Sequence, residues 1–123
     1  MEFAELVRMA QAEVAALNRK LPEDISPLAA RVAVHFERTP DETLVAEGFE
    51  PDLLGLFDGT AYHEEFSADL PSPPQIFLYL ENLFDFAEGD EILFREEVGL
   101  TYLHELGHYL GWDEDDLAAR GLE

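Results

Sequence analysis

The sequence has 123 residues, and 7 Lys and Arg against 28 Asp and Glu give it a formal net charge of -21 at pH 7. So acidic a surface cannot neutralise phosphates and is repelled by anionic lipids, which argues against binding to nucleic acids or membranes. The residues are 47% hydrophobic and include no Cys, so the chain can fill a core but cannot form disulfides or thiolate zinc sites. We expect a single domain spanning residues 1–123, in which His, Asp or Glu would bind any metal.

The first predicted element is an amphipathic helix, because apolar residues recur at spacings of three and four from Phe3 to Leu21. The helix should have about 18 residues and end before Pro22. Residues 31–38 then alternate between apolar and polar side chains, which predicts a half-buried strand with His35 on its polar face. The Pro, Asp and Glu residues between positions 39 and 52 predict one or two short helical turns.

A β-hairpin is predicted next, because Asp58-Gly59 lies at the centre of a strand-like stretch, residues 54–63. This dipeptide suits a type I′ turn, in which both central residues need positive φ. His63 would then lie at the end of the hairpin. Three prolines predict an exposed loop over residues 67–74, and the apolar residues 76–80 predict another strand.

The longest predicted helix runs from about Asp90 to Leu110 and ends at Gly111, which suits the C′ position. Asp113 and Asp116 have the spacing of an N-cap and an N3 residue, which predicts a last short helix that reaches Leu122. This order of elements indicates an α+β fold with a small mixed β-sheet packed against the N-terminal helix and the long helix.

The long predicted helix contains the motif His104-Glu105-Leu106-Gly107-His108. Residues four apart lie on one face of a helix, so both imidazoles can bind one Zn²⁺. Glu105 lies about 100° further round the helix, where it can hold a water molecule beside the metal and act as its general base. The motif therefore predicts a zinc site with His104 and His108 as ligands and Glu105 as the catalytic base.

A third ligand is expected after Gly111, where the chain can turn out of the helix and return to the metal. The acidic residues beyond it are Asp113, Glu114, Asp115, Asp116 and Glu123. Glu114 lies ten positions after His104, the offset of the last histidine in the longer His-Glu-x-x-His-x-x-Gly-x-x-His motif. We therefore predict Glu114 as the third ligand, with Asp115 and then Asp116 as alternatives.

Five other residues are weaker candidates for the site. His35 and His63 could be ligands only if their strands approached the metal. Glu97 and Thr101 lie on the ligand face of the long predicted helix and could orient an imidazole. Tyr109 follows a predicted ligand and could stabilise an oxyanion, although core packing is the more usual role of such a tyrosine.

Together, these features resemble the minimal zincins, a family of small bacterial proteins. Members of this family are called zinc metallopeptidases on the basis of their motif. The resemblance rests on residues 104–114, on the stretch Leu54-Gly55-Leu56-Phe57-Asp58-Gly59, on the strand of residues 76–79 and on the first helix. It implies a zincin fold, in which a small sheet packs on the active-site helix and an acidic residue completes the metal site. The only methionines are Met1 and Met9, so the Met-turn of the metzincins is absent.

We therefore predict a zinc-dependent metallopeptidase that binds one Zn²⁺ and cleaves a peptide or protein substrate in a shallow groove. The strand of residues 76–80, or one edge of the sheet, could pair with an extended peptide, and the net charge would favour basic peptides. Glutamates occupy the place of a basic signal-peptide region near the first residue, so we expect a cytoplasmic protein. Two alternatives stay open: a metal-binding or protein-interaction module on a zincin fold, and a metal-dependent nuclease, which the charge disfavours.

Overall fold

The computed structural model describes residues 1–119. Within that range the chain forms α1 (Phe3–Arg19), α2 (Ser26–Ala29), β1 (Ala33–Glu37), α3 (Glu42–Ala46), β2 (Gly55–Asp58), a 3₁₀ helix (Tyr62–Glu64), β3 (Gln75–Tyr79), α4 (Leu80–Phe86), α5 (Glu91–Tyr109) and α6 (Glu114–Ala119). The α+β prediction is confirmed. The end of the predicted last helix, residues 120–122, and the candidate Glu123 lie outside the described residues.

The three strands form one mixed sheet in the order β1-β3-β2, with β1 parallel and β2 antiparallel to β3. The strand predicted at residues 76–80 is the central one, and its Ile76 and Leu78 are fully buried. Because β3 is paired on both sides, the suggestion that it offers an edge to a peptide is wrong. Among the described strands, only β1 and β2 have an unpaired side.

The predicted hairpin of residues 54–63 is also wrong. Gly59 has the expected positive φ, 136°, but a 3₁₀ helix follows it where a second strand was predicted. The antiparallel partner of β2 is β3, and the intervening loop is closed where Thr60 and Ser72 exchange two hydrogen bonds. The predicted type I′ turn is wrong as well, because Asp58 lacks the positive φ that such a turn needs at both central residues.

The two longest helices, α1 and α5, pack against each other, and α4 packs on both. The face of α1 toward the core carries Leu6, Ala10 and Val14. Gly99 makes the helix contact close, since a Cβ there would lie 3.1 Å from Leu17 Cδ1. Tyr102 adds a hydrogen bond between the two helices, because its hydroxyl donates to Asn18 Oδ1 over 2.6 Å. The prediction that the apolar face of the first helix belongs to the core is confirmed.

The ends of α5 follow the sequence signals. Asp90 is the N-cap, and its Oδ1 accepts from the N–H groups of Ile92 and Leu93 at 2.9 and 3.0 Å. The preceding helix α4 was not predicted, although its buried Leu80 and Leu83 and the buried C-cap Ala87 follow a spacing of three and four. None of the helices within residues 1–119 combines the length and the apolar character that spanning a membrane would require.

Candidate metal centre

Two histidines one turn apart on α5 form the centre of the site. The Nε2 atoms of His104 and His108 are 3.2 Å apart, and the planes of the two rings are inclined by 82°. With Glu105, these residues can offer three ligand atoms that all lie within 4.8 Å of one another. In the part of the chain that the structure describes, no other group of His, Asp and Glu residues meets this condition.

The donor set fits a zinc ion. Two nitrogen ligands about 2.0–2.1 Å from a tetrahedral Zn²⁺ are separated by about 3.3 Å, close to the 3.2 Å between the two Nε2 atoms. Imidazole and carboxylate are among the ligands that zinc prefers, and no thiolate is needed. Both histidines are half-buried, so a substrate or water molecule can also reach the space between them.

Glu105 is held beside the histidines by the neighbouring strand. Its carboxylate accepts a hydrogen bond from the backbone N–H of Phe57 in β2. Burial raises the pKa of Glu105, the charges of His108 and His104 and the Phe57 N–H lower it, and the charge of Glu114 raises it. The net pKa is raised, which suits a general base better than the ordinary value of a surface carboxylate.

A glycine allows β2 to come this close to α5. A Cβ on Gly55 would lie 2.5 Å from Thr101 Cγ2 and 3.1 Å from the backbone oxygen of Phe77. Two residues later in the same strand, the backbone N–H of Phe57 meets Glu105. Thr101, predicted as an imidazole-orienting residue, therefore packs against the strand. The contact of the Phe57 N–H with Glu105 was not predicted, because a backbone group leaves no pattern in the sequence.

The helix α5 ends in a Schellman motif immediately after the histidines. Gly111 has a φ of 81°, and its N–H donates to the oxygen of His108 over 3.1 Å. The N–H of Trp112 donates to the oxygen of Gly107 over 2.9 Å. The chain thus reverses within two residues of α5, as the glycine predicted, and turns back toward the site.

A capping box then begins α6. The N–H of Asp116 donates to Asp113 Oδ1 over 2.8 Å, and the N–H of Asp113 donates to Asp116 Oδ2 over 3.1 Å. Glu114 is therefore the first residue of α6, and its charge acts on Glu105. Its carboxylate lies outside the group of ligand atoms formed by the motif residues. Glu114 remains the predicted third ligand.

We expect Glu114→Ala to weaken zinc binding on the order of 100-fold. Losing a metal ligand should lower the affinity at least as much as losing a residue that only hydrogen-bonds to a ligand. Asp115→Ala, at an exposed position, should have little effect. Asp113→Ala should act through the lost cap and cost about 1 kcal/mol of stability. Zinc titration of these variants and Asp116→Ala decides the assignment. A larger loss for Asp115→Ala or Asp116→Ala would move the third ligand to that aspartate.

Gly107, inside the motif, allows α6 to pack on α5. A Cβ there would lie 2.5 Å from Leu117 Cδ2 and 3.2 Å from Trp112 Cε3. We expect Gly107→Val to lower the free energy of unfolding by about 2 kcal/mol or more through overpacking. Denaturant unfolding of Gly107→Val, Leu117→Ala and the double variant measures this contact. The double variant should lose at least about 0.5 kcal/mol less than the sum of the single losses, and strict additivity would contradict the contact.

His35 and His63 lie outside the candidate centre. The Nε2 of His35 is 2.8 Å from Gln75 Oε1, and its ring stacks on Phe77 with the centroids 4.7 Å apart. His63 packs against the end of α5, so closely that a Cβ on Gly111 would lie 2.5 Å from His63 Nδ1. Neither histidine belongs to the group that could bind a metal.

Tyr109 belongs to the core, the more usual of its two predicted roles. Its side chain is fully buried, and its hydroxyl donates to Glu65 Oε2 over 3.1 Å. The other carboxylate oxygen of Glu65 pairs with Arg31 at 2.6 Å. The Tyr109 hydroxyl therefore forms its hydrogen bond with the loop before β3 and is not part of the candidate centre.

A groove of about 520 Å³ leads away from the site along α5. Its lining residues are Leu53, Leu54, Gly55, Phe86, Glu97, Leu100, Thr101, His104 and Glu105. His104 and Glu105 are at one end, and Glu97 lies two helical turns before His104. The role predicted for Glu97, orienting an imidazole, is therefore less suited to its position than a role in the groove.

Comparison with protein families finds a match over most of the chain. A family model described as a zincin-like metallopeptidase matches residues 29–122. The matched segment includes all three strands and the helices α4, α5 and α6. No curated protein matches the chain at a significant level.

Proposed function

The chain belongs to the zincin-like metallopeptidase family, and from that premise we propose that it is a zinc-dependent peptidase. The observation that carries the proposal is the convergence of His104, His108 and Glu105, whose ligand atoms lie within 4.8 Å of one another. We further propose that one Zn²⁺ is held by the two histidines and Glu114. Bound there, the ion would supply Lewis-acid chemistry, lowering the pKa of water to about 7 and polarising the scissile carbonyl.

Glu105 is the general base of the proposed reaction. Its carboxylate takes a proton from the attacking water and passes the proton to the leaving amine. The hydrogen bond from the Phe57 N–H keeps the carboxylate oriented while the proton is transferred. Because that donor is a backbone group of a strand, the base is held by the sheet itself.

The strand β2 supports an extended substrate. It is an edge strand, and its outer side is not paired with another strand of the described sheet. A peptide can add to such an edge through main-chain hydrogen bonds that need no particular sequence. The absence of a side chain at Gly55 keeps this edge close to α5. The net charge of -21 favours substrates with basic residues.

Cleavage of an unstructured protein tests the proposal. The full chain, supplied with one equivalent of zinc, is incubated with casein and with a mixed peptide library, and new N-termini are identified by mass spectrometry. We expect cleavage that stops when a chelator removes the metal and resumes when zinc is restored. Stoichiometric zinc binding without any cleavage would contradict the proposal and support the alternative of a metal-binding or interaction module.

A further inference from the structure

We propose that a cavity on the face of the sheet away from the candidate centre binds the arginine side chain of a partner polypeptide. The cavity has a volume of about 430 Å³ and is lined by the segment around α3 and by the strands β2 and β3. None of the three motif residues lines it. The inference is independent of the proposed peptidase function.

The alternation of side chains along β2 shows which face of the sheet carries the cavity. Phe57 points toward α5, where its ring lies 5.9 Å from that of Tyr109. Its neighbours Leu56 and Asp58 therefore point to the opposite face. Both line the cavity, and so does Phe77, the partner of Leu56 in β3. The sheet thus separates the cavity from the helix that carries the candidate centre.

Aromatic rings form part of the cavity wall. His35, in β1, stacks on the Phe77 ring with the centroids 4.7 Å apart, and it does not line the cavity. The cavity therefore borders the side of Phe77 toward β2, where Leu56 is its partner. Phe49, which is 38% exposed, adds a second ring to the lining. A planar guanidinium group stacks on such rings more readily than an ammonium group does.

The polar part of the lining is entirely acidic. It consists of Asp41, Glu47 and Asp58, which are all exposed, and no Lys, Arg or His of the described chain is part of the lining. Within residues 1–119, none of the three carboxylates forms a salt bridge. Asp41 Oδ1 caps α3 by accepting from the Leu44 N–H over 2.9 Å. Carboxylates beside an apolar wall are complementary to a ligand with a positive charge at the end of an apolar stem.

A buried tyrosine on the same face of the sheet supports the assignment. Tyr79 follows Phe77 by two residues in β3, so both side chains point to this face. Tyr79 is 1% exposed, and its hydroxyl is the only buried side-chain polar group within residues 1–119 without a hydrogen-bond partner. Burial and the charges of Asp41 and Glu37 raise the pKa of Tyr79 to about 12. An unpartnered hydroxyl oxygen near Asp41 can accept a hydrogen bond from a guanidinium N–H.

Titration with N-acetyl-arginine amide tests the inference in the full chain. Nitrogen–proton correlation spectra are recorded with and without zinc at constant ionic strength, and N-acetyl-lysine amide and the neutral N-acetyl-citrulline amide are titrated for comparison. We expect the arginine compound to shift the backbone signals of α3, β2 and Phe77, with a dissociation constant on the order of 1 mM that zinc does not change. The lysine compound should bind at least about threefold more weakly, and the citrulline compound should cause no shift.

Two variants test the acidic and the aromatic parts of the lining separately. Asp58→Asn and Phe49→Leu should each weaken binding of the arginine compound about twofold to fivefold. The matched control is Glu42→Gln, which removes one charge from an exposed position of α3 outside the lining. It should leave the affinity unchanged. All three side chains are exposed, so each variant should fold, and its own spectrum checks this.

Several results would overturn the inference. Shifts centred on α5, or shifts spread over the whole acidic surface, would show that the arginine compound does not bind in this cavity. Equal effects of Asp58→Asn and Glu42→Gln would mean that only the net charge matters. Equal binding of the arginine compound and either comparison compound, or no binding of any of them, would contradict recognition of a guanidinium group. None of these results bears on the proposed peptidase, because the titration does not depend on turnover.

Discussion

Replacing either His104 or His108 with Ala is expected to weaken zinc binding by a factor on the order of 1,000. Zinc sites with four protein ligands bind with about 10–16 kcal/mol, so one ligand contributes up to about 4 kcal/mol. A chain that retains one imidazole also loses the geometry that the pair provides, since the 3.2 Å separation of the Nε2 atoms is what fits a tetrahedral ion. The wild type should bind one equivalent.

Competition with a chromophoric chelator measures this loss of zinc affinity. The pH is kept constant, because zinc binding releases protons and therefore depends on pH. His35→Ala is the matched control: it removes an imidazole that contacts Gln75 and Phe77 and lies outside the candidate centre. This variant should bind zinc as the wild type does. If the double variant of His104 and His108 bound one equivalent with unchanged affinity, the candidate centre would be wrong.

Glu105→Gln is expected to lower the rate of peptide hydrolysis by about 10²–10⁴-fold while zinc affinity changes little. The amide has the shape of the carboxylate, and its oxygen can still accept from the Phe57 N–H. It cannot, however, take a proton from water. The retained zinc affinity separates this effect from the loss of a ligand, which would weaken both binding and turnover.

Steady-state kinetics on one cleaved peptide, with zinc content measured for each sample, provide the test. Glu96→Gln, an exposed glutamate on the same helix, is the control and should keep full activity. Activity of Glu105→Gln within about tenfold of the wild type would contradict the general-base role.

Local signals predicted the parts of the site that lie on one continuous segment. His104 and His108 meet because residues four apart on a helix share a face, whatever the rest of the chain does. Both ends of α5 and the start of α6 were predictable because they too depend on residues close together in the sequence. The cap at Asp90, the Schellman turn at Gly111 and the capping box at Asp113 join residues only a few positions apart.

The parts that depend on packing between distant segments were not predictable. The sequence of residues 54–58 predicts half of a hairpin, yet β2 pairs with β3 across a long loop. The buried strand β3 has backbone N–H and C=O groups along both edges, and these groups need partners on both sides. The same pairing brings the Phe57 N–H to Glu105. The contact needs the strand register and the close approach at Gly55, and neither leaves a periodic pattern in the sequence.

The α+β class was predictable from the sequence alone, as were the long helix with His104, Glu105 and His108 and the reversal of the chain that follows it. These features depend on helix periodicity and on caps, which act over a few residues. Three-dimensional packing was needed to show which strand orients Glu105, that Tyr109 belongs to the core, and that Glu97 lines a largely apolar groove. Each of those depends on how two elements pack, and packing responds to the shape and burial of the whole core rather than to neighbouring residues.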